Sequence, residues 1–341
     1  MKQATAEDVA KLAGVSRSAV SRAFTEGARI SADTREVVLA AARQLSYRPN
    51  TIASSLARRR SNFVGIVINQ LPNLRNPYLY NALVTALQKR GKVPVMVCVD
   101  PSDHDGDTLE QVVNCQVEAM IVMADSISAR RAFEAGNGVR PIMLNENWMP
   151  EDDVHRLTVD PDPGISQMVA HLAETGHKKI AFVGGRPTSS DSGRRRSALV
   201  NAMVRHGLVL VNERHGNFIY DDGYGHAKDF LRQCSRPDAI FCANDVMAFG
   251  ALDAIRETGA LSVPEDIAVV GFDDIPASRW RSYRLSTIKW NSEDLVARVV
   301  EIVMSEDRCN VSEIHISTEF VARRTVRSMA GTDPQAMQCR E

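Results

Sequence analysis

The stretch EDVAKLAGVSRSAVSRAF (7–24) holds two short apolar-periodic runs on either side of AGV. Thr5 with Asp8 three residues later is a capping box with Asp in place of Glu, so a helix starts here. Val9 and Leu12 give that helix an apolar edge, and Gly14 breaks it. Ser16 offers an N-cap hydroxyl for a second helix, and Val15 and Val20 have the spacing of a hydrophobic staple. On the second helix Ala19, Val20, Ala23 and Phe24 fall together and face a core, while Arg17, Ser18, Ser21 and Arg22 fall on the opposite face. Ser31 caps a third helix through Val38, Ala41, Ala42 and Leu45. YRPN (47–50) stops it, because Pro49 disfavours helical backbone at Arg48. A helix packed by one side, with arginine and serine on the other, suits entry into a DNA major groove. Arginine there binds guanine edges bidentately, and serine contacts bases or phosphates.

The charge distribution agrees. Residues 1–61 carry eleven basic and five acidic side chains, a net of +6. The whole 341-residue chain carries −1, so the remainder carries −7. A polyanion partner is expected for the first segment alone. No apolar run is long enough to span a membrane and no secretory segment opens the chain, so a cytoplasmic protein with no membrane partner is expected. The six cysteines are scattered without a CxxC pair. Mostly buried thiols are expected, with no disulfide framework and no metal.

These residues resemble a known family. EDVAKLAGVSRSAVSRAF followed by ISADTREVVLAAARQLSYRPN is similar to the N-terminus of the lactose/galactose-repressor (LacI/GalR) family of bacterial transcription regulators. The resemblance continues, more diffusely, to about residue 325. It implies base reading by Arg17, Ser18 and Arg22; Thr25 stands where asparagine is common in the family. It also bears on TIASSLARRRS (51–61), too short for a stable isolated helix in water. In the family this segment is a hinge helix that orders on DNA, pairs with its twin and inserts a leucine into the minor groove. Leu56 is the matching wedge, with Ala53 beside it. The expected DNA-binding set is Thr5, Ser16, Arg17, Ser18, Ser21, Arg22, Arg29, Tyr47, Asn50, Ala53 and Leu56.

From Asn62 onward apolar runs alternate with helix-length segments: FVGIVI, VPVMVCV, EAMIVMA, PIMLNE, LTVD, KIAFVGG, GNFIY, AIFCAN and IAVVGFDD. Continuous apolar runs separated by helices read as parallel α/β sheets. A break near PDPG (161–164) divides them into two lobes. Ligands bind outside the carboxyl ends of such strands, which points to Asn76, Tyr78, Glu146, Asn147, Arg194, Tyr220, Asn244, Asp245, Asp273 and Asp274. Their hydrogen-bonding groups suit a polyhydroxylated molecule. Asp245 reads better as a cap of the helix AFGALDAI, and Asp274 as a loop organiser. The resemblance implies a two-lobed, periplasmic-binding-protein-like domain. It places Arg194 on a ligand hydroxyl, Tyr220 stacked on the ligand, and Asn244 and Asp273 on ligand hydroxyls. Glu146 and Asn147 stand where an aspartate–arginine pair is common. With Tyr78, these are the expected effector contacts. Trp148 has no role in this scheme.

Other motifs carry less. DPSDHDGD (100–107) lacks the glycine of a calcium loop and reads as a solvated helix start. VGGRP (183–187) is neither a P-loop nor a dinucleotide fingerprint. His177 follows Gly176 and reads as loop decoration. No nucleophile or acid–base arrangement and no cofactor motif is present, so the chain is not expected to be an enzyme.

The expected organisation is an all-α helix-turn-helix domain (1–49), a hinge (50–61), a two-lobed α/β effector and dimerisation domain with parallel sheets (62–325) and a disordered tail (326–341). The expected function is a DNA-binding regulator, a repressor, acting as a homodimer or homotetramer on a pseudo-palindromic operator. Its expected effector is a sugar or sugar derivative. The alternatives are a purine- or nucleoside-type corepressor-responsive regulator, a cytosolic solute-binding protein, or an α/β enzyme.

Overall fold

The computed structural model describes residues 4–25, 27–47, 61–69, 75–99, 109, 112, 114–136, 138–144, 149, 152–305 and 310–329. Asn50, Ala53, Leu56, Glu146, Asn147, Trp148, the acidic run at 100–107 and residues 330–341 lie outside them. By contacts the chain divides after Asn62.

Among its described residues the first unit has three helices: α1 (Ala6–Ala13), α2 (Arg17–Ala23) and α3 (Ala32–Gln44). Each starts on the cap its sequence specifies. Thr5 Oγ1 accepts from Asp8 N while Asp8 Oδ2 accepts from Thr5 N, closing the capping box. Ser16 Oγ accepts from Ala19 N and Ser31 Oγ from Thr34 N. Gly14 ends α1 with φ of 65°, which costs a glycine little. Val9, Val20, Ala23, Val38, Ala41 and Ala42 form the core, with the Phe24 and Tyr47 rings packed edge to face at 5.9 Å. Leu12 departs from expectation and is 47% exposed. Three residues on from Val9, it is rotated to the rim of the stripe that Val9 centres.

The second unit holds strands β1 (Phe63–Asn69), β2 (Val93–Val99), β3 (Ala119–Val122), β4 (Pro141–Met143) and β5 (His155–Asp160), with helices α4 (Arg75–Lys89) and α5 (Ala129–Ala135). Helix α6 (Asp162–Glu174) then leads to β6 (Lys179–Gly184), α7 (Ser190–His206), β7 (Val209–His215), α8 (Tyr220–Leu231), β8 (Ala239–Cys242), α9 (Asp245–Glu257) and β9 (Ala268–Phe272). After a short 3-10 turn (Pro276–Arg279) come β10 (Ser286–Trp290), α10 (Ser292–Met304) and β11 (Glu313–Val321). The strand order is β2-β1-β3-β4-β5-β11-β10-β9-β8-β6-β7. The order reverses between the halves, giving two lobes that share β11. Residues Glu313 to Ser317 of β11 run parallel to Arg156–Asp160 of β5. Its later residues, Thr318 to Val321, run antiparallel to β10. Among the described residues that is the one antiparallel pair in a sheet expected to be all parallel. It arises because β11 belongs to both lobes.

Three expectations are corrected here. GNFIY is not a strand; the strand is VLVNERH, β7, and 217–219 is the loop into α8. That loop turns because the Asp222 carboxylate accepts from the amides of Asn217 and Ile219. Cys98, Cys115 and Cys234 are exposed, and of the four described cysteines only Cys242 is buried. His177 is buried, with Nδ1 at 3.0 Å from Thr175 Oγ1 and 3.2 Å from Leu172 O, and burial lowers its pKa.

Candidate nucleic-acid interface and effector cleft

In the first unit, Arg17, Ser18, Ser21 and Arg22 are exposed along α2, opposite buried Val20 and Ala23. Arg22 is drawn along the helix by Ser18: Nη2 donates to Ser18 Oγ at 3.3 Å and Nε to Ser18 O at 3.3 Å. Ser16 and Ser18 hydroxyls meet at 2.9 Å. The exposed face of α2 is thus a short hydrogen-bonded strip of Ser16, Ser18 and Arg22, with Arg17 beside it. Arg35 lies behind, donating from Nη2 to the carbonyls of Thr25 and Ala28 and fixing the turn between α2 and α3. Thr5 and Arg29 are exposed, and Tyr47 is half-buried against Phe24.

In the second unit, polar groups gather at the carboxyl ends of the strands. Asp273 follows β9 with φ of 118°, an uncommon backbone conformation for a residue other than glycine. Its amide donates to Ile288 O at 2.8 Å, and its Oδ1 accepts from Trp290 Nε1 at 3.3 Å. The cation facing it is Arg195. That side chain is buried, donates to Ala243 O, lies 3.8 Å over the Phe272 ring and brings Nη2 to 4.0 Å from Asp273 Oδ1. Arg194, the arginine expected there, is half-exposed and 4.0 Å from Asp160. Helical phase explains the difference. Arg195, Leu199 and Ala202 share the buried face of α7, and Arg194 falls outside it.

The aromatic residue is likewise displaced. Tyr220 donates its hydroxyl to Asp253 Oδ2 at 2.9 Å, and burial and that hydrogen bond raise the phenol's pKa. Asp253 lies nine residues beyond Asn244, about 13 Å along α9, so Tyr220 is turned away from the cleft. Phe218 takes the position at the strand ends. Its ring sits where a Cβ on Gly185 would come within 1.9 Å, and its carbonyl accepts from Asn244 Nδ2 at 2.9 Å. Asn244 Oδ1 caps α9 by accepting from Met247 N, so one side chain ties the Phe218 loop to the helix start. Asp245 is not the cap; its carboxyl turns inward. Asp274 is a loop organiser, accepting from Arg323 at 2.6 Å and Arg279 at 2.9 Å. Tyr78 is 51% exposed on α4.

Sequence reasoning missed one further group. Asp125, after β3 in the first lobe, pairs with Arg186, after β6 in the second, at 2.5 Å. Asn69 Nδ2 donates to Asp125, and Ser126 Oγ donates to Asn69 Oδ1 at 3.0 Å. The Arg186 guanidinium lies 5.7 Å from the Phe218 ring centre. An ion pair therefore spans the two lobes beside the aromatic wall. Among the described residues no cluster of metal-ligating side chains occurs. Among the described residues no helix is long and apolar enough to cross a membrane.

A DNA-reading helix unit and a two-lobed domain with its polar groups at the strand ends define the class: a DNA-binding transcriptional repressor built on a periplasmic-binding-protein-like scaffold. Residues 5–50 match the family described as bacterial regulatory proteins, lacI family, and residues 169–326 match the periplasmic binding protein-like domain. The HTH-type transcriptional repressor PurR of Pasteurella multocida is 31% identical over 95% of this chain and 99% of its own length. The probable HTH-type transcriptional repressor ExuR of Bacillus subtilis is 28% identical over 95% and 99%. A crystal structure of the Lac repressor dimer bound to operator and the anti-inducer ONPF superposes with a TM-score of 0.86 at 26% identity, covering 96% of this chain and all of that one. The chain belongs to the lacI family. Its members bind operator DNA and small-molecule effectors, and they are transcriptional regulators rather than enzymes.

Proposed function

We propose that this chain is a cytoplasmic, homodimeric repressor whose operator affinity is set by a carbohydrate-like effector. A dimer places two α2 helices on two half-sites, which makes the operator pseudo-palindromic. Arg17 and Arg22 read bases, Ser18 and Ser21 contact bases or phosphates, and Arg29 adds phosphate attraction. In the second unit the effector lies against Phe218, with Arg195 and Asp273 offering a donor and an acceptor to vicinal hydroxyls, and Tyr78 contributing from the first lobe. Asn244 supports this site through Phe218. Closing the lobes on the effector shifts the population between two arrangements that differ in operator affinity.

The observation that carries this reading is the convergence of Phe218, Arg195 and Asp273 at the carboxyl ends of one lobe's strands. The test is operator binding by fluorescence anisotropy, with monosaccharides, sugar acids and purine bases titrated separately. The reading requires that a sugar-type compound change operator affinity at least about 5-fold, the lower end of ordinary allosteric coupling. It also requires that Phe218→Ala abolish that response with ligand-free operator affinity unchanged. A second reading, a purine corepressor, is favoured by the PurR relative and by the flat Phe218 face. A response confined to purine bases would establish it in place of the first.

A further inference from the structure

Asp245 is the first residue of α9, and none of its surface reaches solvent. Its Oδ2 accepts from Ile275 N at 2.9 Å and Ser278 Oγ at 2.7 Å, and its Oδ1 accepts from Thr287 Oγ1 at 2.5 Å. The three donors belong to the loop after β9, the short 3-10 turn and β10. Strand β9 leaves room for the carboxyl at Gly271, where a Cβ would come within 2.2 Å of Oδ1. Two residues later the chain reaches Asp273 and its positive φ. The segment 273–278 is therefore pinned at both ends, by Asp273 to β10 and by Ile275 and Ser278 to Asp245.

We infer that Asp245 is the positioning residue of the effector site, its buried carboxyl gathering three elements into the arrangement that presents Asp273 to the cleft and to Trp290. This assignment rests on the reading of Asp273 as an effector contact. Burial, and then the neighbouring Asp273 carboxylate, push the Asp245 carboxyl up to about 8, so it works as a neutral acid near pH 7. The groups around it are few. Asp273 faces it from the residue after β9, and Cys242 sits on β8 with its thiol pKa pushed up by burial. Arg195 reaches in from α7 toward Asp273. Arg279 and Arg323 are engaged by Asp274. Ionising Asp245 puts a second negative charge beside Asp273 and disturbs the bond from Trp290. An asparagine is an isostere of the neutral acid. Its carbonyl can take the Ile275 amide and Ser278 hydroxyl, and the Thr287 hydroxyl, which donates to the carboxylate, turns to accept from the amide as it would from the protonated acid.

Trp290 is the built-in reporter. In full-length protein carrying Trp148→Phe and Trp280→Phe, Trp290 emission is followed from about pH 6 to about pH 9.5, a range that brackets the ionisation. The expected result is one transition near pH 8. Asp245→Asn should abolish it and keep the low-pH spectrum throughout. Thr287→Val, which removes a hydroxyl that stabilises the carboxylate, should move the midpoint upward. A flat profile in the parent protein, or a transition that persists in Asp245→Asn, overturns the assignment. The signal needs no effector. An Asp273→Ala protein that still responds to its effector would therefore overturn the cleft reading separately, and with it the functional half of this inference.

Discussion

The two units hold their functional side chains in opposite ways. In the first, the helix caps are local, Thr5 with Asp8, Ser16 with Ala19 and Ser31 with Thr34 each three residues apart, and the longest reach, Arg35 to Thr25, is ten. Arg17, Ser21 and Arg22 stand outside that scaffold, exposed over a closed core. In the second unit Arg195, Asn244, Asp245 and Asp273 are buried at the strand ends and held from far along the chain. Arg195 bonds Ala243, 48 residues away, and Asp245 bonds Thr287, 42 residues away. One surface can change its specificity without touching its fold. The other cannot change its site without changing its stability.

Mutations can break that contrast. The largest stability loss is expected from Arg195→Ala, which leaves Asp273 buried without its facing cation and uncovers the Phe272 ring. About 3 kcal/mol should be lost from the second unit, read by urea unfolding of its tryptophan signal. Asn244→Ala removes a helix cap and the bond to Phe218 together, and about 2 kcal/mol is expected by the same measurement. For Arg186 and Asp125, both about one-third exposed, a double-mutant cycle should give a coupling of about 1 kcal/mol or less. Arg17→Ala or Arg22→Ala should leave stability within about 0.5 kcal/mol while costing about 1–3 kcal/mol of operator discrimination.

Acid separates the units too. His155, His171 and His177 have pKa values lowered first of all by burial. Their folded pKa values lie below the unfolded one, so their contribution is present above about pH 6.5 and is lost as pH falls through the folded values. The first unit contains no histidine. On acidification the second unit should lose thermal stability from this source and the helix unit should not.

How much of this was legible in the sequence follows the same division. The caps, the turn and the two faces of α2 were readable because each depends on residues three or four apart. In the second unit the alternation of strands and helices was readable, but β7, β10 and β11 were not. Their faces are mixed, VLVNERH and EIHISTEFV included, and β11 is a strand only because both lobes offer it an edge. Reading GNFIY as a strand put Tyr220 at a strand end, whereas the structure has Phe218 in the loop there and Tyr220 on α8, bonded to Asp253. Arg195 was within reach, since its phase with Leu199 and Ala202 marks the buried face. The Asp125–Arg186 pair and the inward turn of Asp245 join segments tens of residues apart, and no local pattern announces them.

The contrast between the units is tested most directly by paired measurements on Arg22→Ala and Arg195→Ala in the full-length protein. Each variant is assayed for urea unfolding and for binding to DNA that the unaltered protein selects from random sequence. The account predicts that Arg22→Ala unfolds with the parent protein but loses specific binding, whereas Arg195→Ala unfolds at lower urea and still recognises the selected DNA. Equal destabilisation of the two variants, or loss of recognition in Arg195→Ala under conditions where it remains folded, would contradict it.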